Sequence, residues 1–198
     1  MFKFTYNLII ISSLCILPAY AADKPTSLKK QTIAGNYLSA EEAYYLKQQQ
    51  GKDLLFVDIR TPSELVFVGT PENLDINIPF LTLDYKHWDT KKSSFKKVPN
   101  KHFLSAFNAV LNSKNLTKDS SIVLLCRSGK RSAKAANLLS STGYSKIYTV
   151  VDGFEGDKVK FGKNMGKRGV NGWKNAGLPW TYKLDRNRMN INQASIEK

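Results

Sequence analysis

Ile122-Val-Leu-Leu-Cys126-Arg127-Ser128-Gly129-Lys130-Arg131-Ser132-Ala-Lys-Ala-Ala-Asn-Leu-Leu is the stretch that decides how this 198-residue chain folds. Its apolar start reads as a buried strand ending on a cysteine, and its apolar positions from Ala133 onward read as a helix. A short loop with one glycine and three cations joins them. A thiol held between a strand end and a helix N-terminus faces backbone N–H groups and the positive end of the helix dipole. Both favour the thiolate, the nucleophilic form of the side chain.

The flanking sequence supplies more strands and helices. Ser39-Ala-Glu-Glu42 is a capping box ahead of Ala43, Tyr44 and Leu46, and predicts a helix that stops near Gly51. Asp53-Leu-Leu-Phe-Val-Asp58 is an unbroken apolar run closed by an acid, the pattern of a parallel strand buried on both faces. Residues 76–79 predict a short strand, 81–100 an extended loop rich in lysine, serine and aromatics, and 102–112 a helix. A strand over 121–125, a helix over 132–141 and a strand over 146–151 follow. Strands alternating with helices predict an α/β three-layer sandwich, a mainly parallel central sheet flanked by helices. Ligands of such sheets bind at the carboxyl ends of the strands, where Cys126 and Asp58 both fall.

The first residues have a different character. Lys3 precedes the apolar run 8–17, then come Pro18 and Ala19-Tyr20-Ala21. These are the parts of a secretory signal peptide over 1–21, cleaved near Ala21, which places the mature protein in the periplasm. An uncleaved anchor would need about 20 apolar residues, more than this run offers. A lipoprotein signal at Cys15 is disfavoured by Leu14, where a small residue is wanted. The polar stretch 22–35, with Pro25, reads as a linker, 36–183 as the domain and 184–198 as a polar tail. Cleavage removes Cys15 and leaves Cys126 as the sole thiol. Exported proteins normally use cysteines in pairs, so a lone thiol in a basic loop points to a use.

The formal net charge is +14, and +13 without Lys3. That balance favours small anions, anionic membrane surfaces or acidic proteins as partners. No aromatic-interleaved basic motif of a nucleic-acid module is present. His87 and His102 are isolated, and with a single mature cysteine no metal site is expected.

From Cys126 to Arg131 the backbone can curl around one point, with Gly129 relieving the turn. Its N–H donors and Arg127, Lys130 and Arg131 form an anion cradle, which can hold an anionic substrate beside the sulfur. Attack of the thiolate on a sulfane sulfur would leave a persulfide, which a second nucleophile removes, so that two easier displacements replace one.

In these residues the chain resembles the rhodanese-domain family. Cys126-Arg-Ser-Gly-Lys-Arg131-Ser132 resembles its active-site loop, and Asp58-Ile-Arg60 followed by Glu64 its upstream signature. Val151-Asp-Gly153-Phe-Glu-Gly and Trp173-Lys-Asn-Ala-Gly177-Leu-Pro179 resemble its closing segment, in the form found in exported single-domain rhodaneses of Gram-negative bacteria. The resemblance covers roughly 38–180. It implies a sulfurtransferase with Cys126 as persulfide carrier and Arg127, Ser128, Gly129, Lys130, Arg131 and Ser132 as its substrate cradle. It implies no metal or organic cofactor. A small sulfur-bearing dianion such as thiosulfate is the expected donor, and a thiol, cyanide or a protein the acceptor.

Asp58 is expected either to pair with a loop arginine and order the cradle or to cap the turn after its strand; Arg60 and Glu64 are expected to be structural. Two departures stand out. Residues 68–77 replace the family's usual wall segment, and a basic insertion over 157–170 splits the closing segment. That insertion reads as a lid, a docking surface for an acidic partner or a solvated loop. Phosphatases and arsenate reductases of related folds use a loop one residue longer than the four residues between Cys126 and Arg131, which disfavours that chemistry. A non-catalytic binding module, or a partner of a periplasmic respiratory or quinoprotein pathway, is the remaining alternative.

Overall fold

The computed structural model describes residues 21–190; residues 1–20 of the expected signal peptide and 191–198 of the expected tail lie outside them. After a 3-10 turn at Leu28–Lys30 come β1 (Tyr37–Leu38), α1 (Ala40–Gln50), β2 (Leu54–Asp58) and α2 (Pro62–Val68). The short strands β3 (Thr70–Pro71) and β4 (Ile76–Asn77) lead into a hairpin, β5 (Leu81–Asp89) and β6 (Ser94–Pro99). Then follow α3 (Phe103–Ser113), β7 (Ser121–Leu125), α4 (Lys130–Ser141), β8 (Ile147–Val150) and β9 (Trp180–Thr181).

The central sheet has the order β1-β8-β7-β2-β4, and all its pairings are parallel. β2 and β7 run side by side from Leu54 opposite Ser121 to Asp58 opposite Leu125. Asp58 and Cys126 therefore emerge at the same carboxyl end of the sheet. Alternate residues of these two strands face opposite layers, as the pleat requires. Leu55, Val57, Ile122 and Leu124 pack with Phe103, Phe107 and Leu111 of α3 and Ala135 and Leu139 of α4. Leu54, Phe56, Val123 and Leu125 pack with Ala43 and Leu46 of α1 and with Phe154 and Trp173. The expected three-layer α/β sandwich is what forms.

Two capping boxes start helices. Ser39 and Glu42 cap α1 as expected, and Thr61 and Glu64 cap α2, a helix the sequence reading did not mark. α4 begins at Lys130, two residues earlier than predicted, because Gly129 (φ 84°) serves as its N-cap. Residues 81–100 correct the expected loop. They form the antiparallel β5–β6 hairpin, with Leu81 opposite Pro99 and Leu83 opposite Lys97. Neither face is wholly buried, so no apolar period marks it in the sequence. Edge-to-face contacts of Phe95 with Tyr85 and Trp88 hold its outer part.

The stretch 22–35, read as a linker, lies against the domain. The Ala22 N–H donates to the Tyr37 carbonyl at 3.0 Å, and the buried Lys30 pairs with Asp157 at 2.9 Å. Among the described residues no helix is long and apolar enough to cross a membrane.

Candidate active site

Cys126 follows β7 directly and is 1% exposed. Its sulfur receives the Ser132 N–H at 3.5 Å and lies 3.6 Å from the Ser132 hydroxyl, which donates to the Gly129 carbonyl at 2.9 Å. The loop carbonyls are tied outward: Phe154 N–H donates to Cys126 O at 2.8 Å and Glu155 N–H to Arg127 O at 3.0 Å. The N–H groups of Arg127, Ser128 and Gly129 donate to no acceptor among the described residues. A ring of free donors with the first turn of α4 behind it is an arrangement that can accept an anion.

Two glycines allow this approach. A Cβ on Gly153 (φ 68°) would lie 2.5 Å from Cys126 O and from Ser128 N. A Cβ on Gly129 would lie 2.2 Å from Val151 O. The closing segment thus presses its backbone directly on the loop.

Of the two roles expected for Asp58 the structure shows the cap of the turn after its strand, since it accepts the Arg60 N–H at 2.9 Å, and it corrects the other: its ion pair is with Arg60, not with a loop arginine. The Arg60 guanidinium donates to both carboxylate oxygens of Asp58, to Oδ1 at 3.0 Å and to Oδ2 at 2.9 and 2.6 Å, and to the Gly69 carbonyl at 2.9 Å. Both residues are fully buried, and Phe154 covers the guanidinium with its ring 4.1 Å from Cζ. The physical reason is local. The backbone turns at residues 59–61, which folds Arg60 back over a carboxylate two residues away. Asn77 fastens that turn through bonds to the Asp58 and Arg60 carbonyls at 2.8 Å.

The loop arginine pairs with Glu64 instead. Arg131 meets both Glu64 oxygens at 2.7 and 2.5 Å, so it braces the loop against α2. Burial alone would raise the Glu64 pKa, but the bonds and charge of Arg131 and the Thr61 backbone lower it to about 2. Burial alone would lower the Arg131 pKa, and Glu64 outweighs it, so the guanidinium is held charged.

Arg127 lines a cavity of about 250 Å³ together with Thr61, Glu64, Phe67, Val68, Leu83 and Lys97. Lys97 is a site residue that sequence reasoning missed; its only signal was membership of a Lys-Lys pair inside an apparent loop. Cross-strand pairing with Leu83 aims both residues at this cavity. Burial first, then the charges of Arg131 and Arg127, lower the Lys97 pKa. Three cations and one committed carboxylate leave this mouth of the loop positive.

Lys130 points the other way. With Ser128 it lines a groove of about 1090 Å³ whose far wall is the insertion, including Lys158, Lys160 and Arg168. Arg168 is the second residue missed. It donates to the Gly156 carbonyl, and burial and then Arg127 lower its pKa against the opposing charges of Glu155 and Asp157. The three loop cations do not share one side: Arg127 and Lys130 lie on opposite sides and Arg131 is held by Glu64, whereas Asp58 and Arg60 lie beneath the loop as its support.

Comparison with known proteins agrees with this geometry. The model of the rhodanese-like domain matches residues 40–159, and the chain belongs to that family. The protein RP600 of Rickettsia prowazekii is 36% identical over 127 residues, 64% of this chain and 81% of that one. The thiosulfate sulfurtransferase GlpE of Tolumonas auensis is 42% identical over 41 residues, 21% of this chain and 39% of GlpE. Among solved structures, Rv0390 of M. tuberculosis superposes with a TM-score of 0.54 at 25% identity, covering 75% of this chain and 98% of that one.

Proposed function

We propose that the protein is a sulfurtransferase that carries sulfane sulfur on Cys126. The observation that carries this reading is the Cys126 sulfur, which receives the Ser132 N–H inside a loop whose Arg127, Ser128 and Gly129 N–H groups are free among the described residues and whose Arg127 and Lys130 flank it on two sides. The Cys126 thiolate attacks the outer sulfur of an anionic donor such as thiosulfate. A new S–S bond forms, the donor's S–S bond breaks with its electron pair leaving on sulfite, and Cys126–S–S⁻ remains. A nucleophilic acceptor such as cyanide then takes the terminal sulfur and returns the thiolate. Arg127 and Lys97 line one cavity beside the loop and would stabilise the charge developing on a sulfite dianion departing into it, while the free loop N–H groups would stabilise the persulfide.

The test is thiocyanate formation from thiosulfate and cyanide, with native protein and Cys126→Ser. Turnover lost in the serine variant is expected. Arg127→Ala should raise the thiosulfate requirement far more than that for an uncharged polysulfide. A folded native chain that forms no thiocyanate from either donor contradicts the proposal and leaves a binding module.

A further inference from the structure

The insertion is an ordered ribbon. Lys158 and Arg168 form an antiparallel bridge, and Val159 N–H donates to Lys167 O at 2.8 Å. Gly166 N–H returns to Val159 O at 2.9 Å, and Met165 N–H closes the tip on Gly162 O at 3.0 Å. At its base Asp157 is engaged by Lys30, and Arg168 bonds to the Gly156 carbonyl.

What this ribbon presents to water is unusual. Phe161 is 83% exposed and Met165 69%, while Lys158, Lys160, Lys163 and Lys167 are all exposed around them. Among the described residues none of the four lysines has a carboxylate partner. Phe161 and Met165 cover no part of either core cluster.

We propose that the tip of this ribbon is a contact site for an anionic lipid surface. Lysines around a protruding tip meet phosphate headgroups, while a phenyl ring and a thioether enter the boundary between headgroups and acyl chains. Charge complementarity selects anionic over neutral lipid. A protein partner fits less well: stable protein interfaces bury about 800 Å² per partner on a broad complementary patch, and a two-residue tip offers none. Because Arg168 at the ribbon's base borders the Cys126 loop, contact would set the site's basic groove near the membrane.

The test uses the full chain carrying Phe161→Trp, its emission read as the difference from the unaltered chain. This readout reports the tip alone and not the apolar run at residues 8–17. Phosphatidylglycerol vesicles should shift the added emission to the blue and brominated acyl chains should quench it; phosphatidylcholine vesicles should do neither. Replacing Lys158, Lys160, Lys163 and Lys167 by Gln should raise the lipid needed for half the shift about fivefold per lysine. No shift with anionic vesicles, or an equal shift with neutral ones, overturns the proposal. A shift with polyglutamate and none with vesicles also overturns it and reassigns the tip to an acidic protein. Unchanged circular dichroism in both variants confirms that the fold is intact.

Discussion

Arg131, in the first turn of α4, holds both carboxylate oxygens of Glu64 in α2, 67 residues away, at 2.7 and 2.5 Å. Glu64 meanwhile accepts the Thr61 N–H at 3.0 Å and so caps its own helix. One carboxylate therefore fixes α2 and ties the active loop to it. Arg131, though one of the loop's three cations, is occupied by Glu64, which leaves Arg127 and Lys130 as the loop cations with no carboxylate partner among the described residues.

Stability should depend on this pair at acid pH. The folded pKa of Glu64, about 2, lies below its ordinary value of 4.5. Its contribution is complete above about pH 4.5 and disappears as pH falls through 2, amounting to roughly 3 kcal/mol. Denaturant titrations at pH 3 and pH 6 should show that Glu64→Gln lowers stability at pH 6 and narrows the gap between the two. A variant with the native pH dependence would remove the pair from this role.

Asp152 should act in the opposite sense. Burial raises its pKa to about 6, against the bond from Gly172 N–H at 3.0 Å. The folded state prefers the protonated acid, so stability falls as pH rises from about 4 through 6. Asp152→Asn retains an acceptor for Gly172, and its melting temperature should decline less between pH 5 and 7.5 than that of the native chain. Parallel declines would refute the assignment.

Lys97 should bind the donor without shaping the fold. Lys97→Ala is expected to raise the thiosulfate KM about threefold to tenfold, the range of one charge contact at a partly open site. Lys97→Arg should restore most of it, with kcat little altered and the melting temperature unchanged. A fall in kcat at constant KM would contradict donor binding.

Gly153→Ala should disable the loop. Its Cβ would meet backbone atoms of Cys126 and Ser128 at 2.5 Å, in a left-handed conformation. The expected loss is about 2 kcal/mol or more of stability, with sulfur transfer reduced further than the unfolded fraction explains. Full activity in a stable variant would show that the closing segment does not hold the loop.

The buried pair gives a sharper stability test. Asp58→Asn leaves the Arg60 charge uncompensated and should cost about 3–5 kcal/mol, while Asp58→Leu combined with Arg60→Met should recover much of it. Chemical denaturation midpoints of the three proteins decide the matter; equal losses in both variants would deny that charge compensation is the cause.

The sequence reveals most where one chain segment carries its own explanation. The strand Leu54–Asp58, the capping box at Ser39, the Ser121–Leu125 strand and the Cys126 loop all follow from local pattern and chemistry, and each sits where that pattern places it. Partner choice was less legible. Both Arg60 and the loop arginines could serve Asp58, and only the turn at residues 59–61 decides between them. Lys97 was hidden because the hairpin buries no complete face, so its lysines carry no periodic signal. Arg168 was hidden for a related reason: among the five cations in its insertion, only tertiary contact with Gly156 distinguishes it.

Cys126 as sulfur carrier is the central claim, and intact-mass analysis after incubation with thiosulfate, before any acceptor is added, tests it most directly. The native protein should gain the mass of one sulfur atom and lose it on addition of cyanide, and Cys126→Ser should gain nothing. A native protein that keeps a free thiol and gains no sulfur, or a serine variant that gains it equally, would contradict the account.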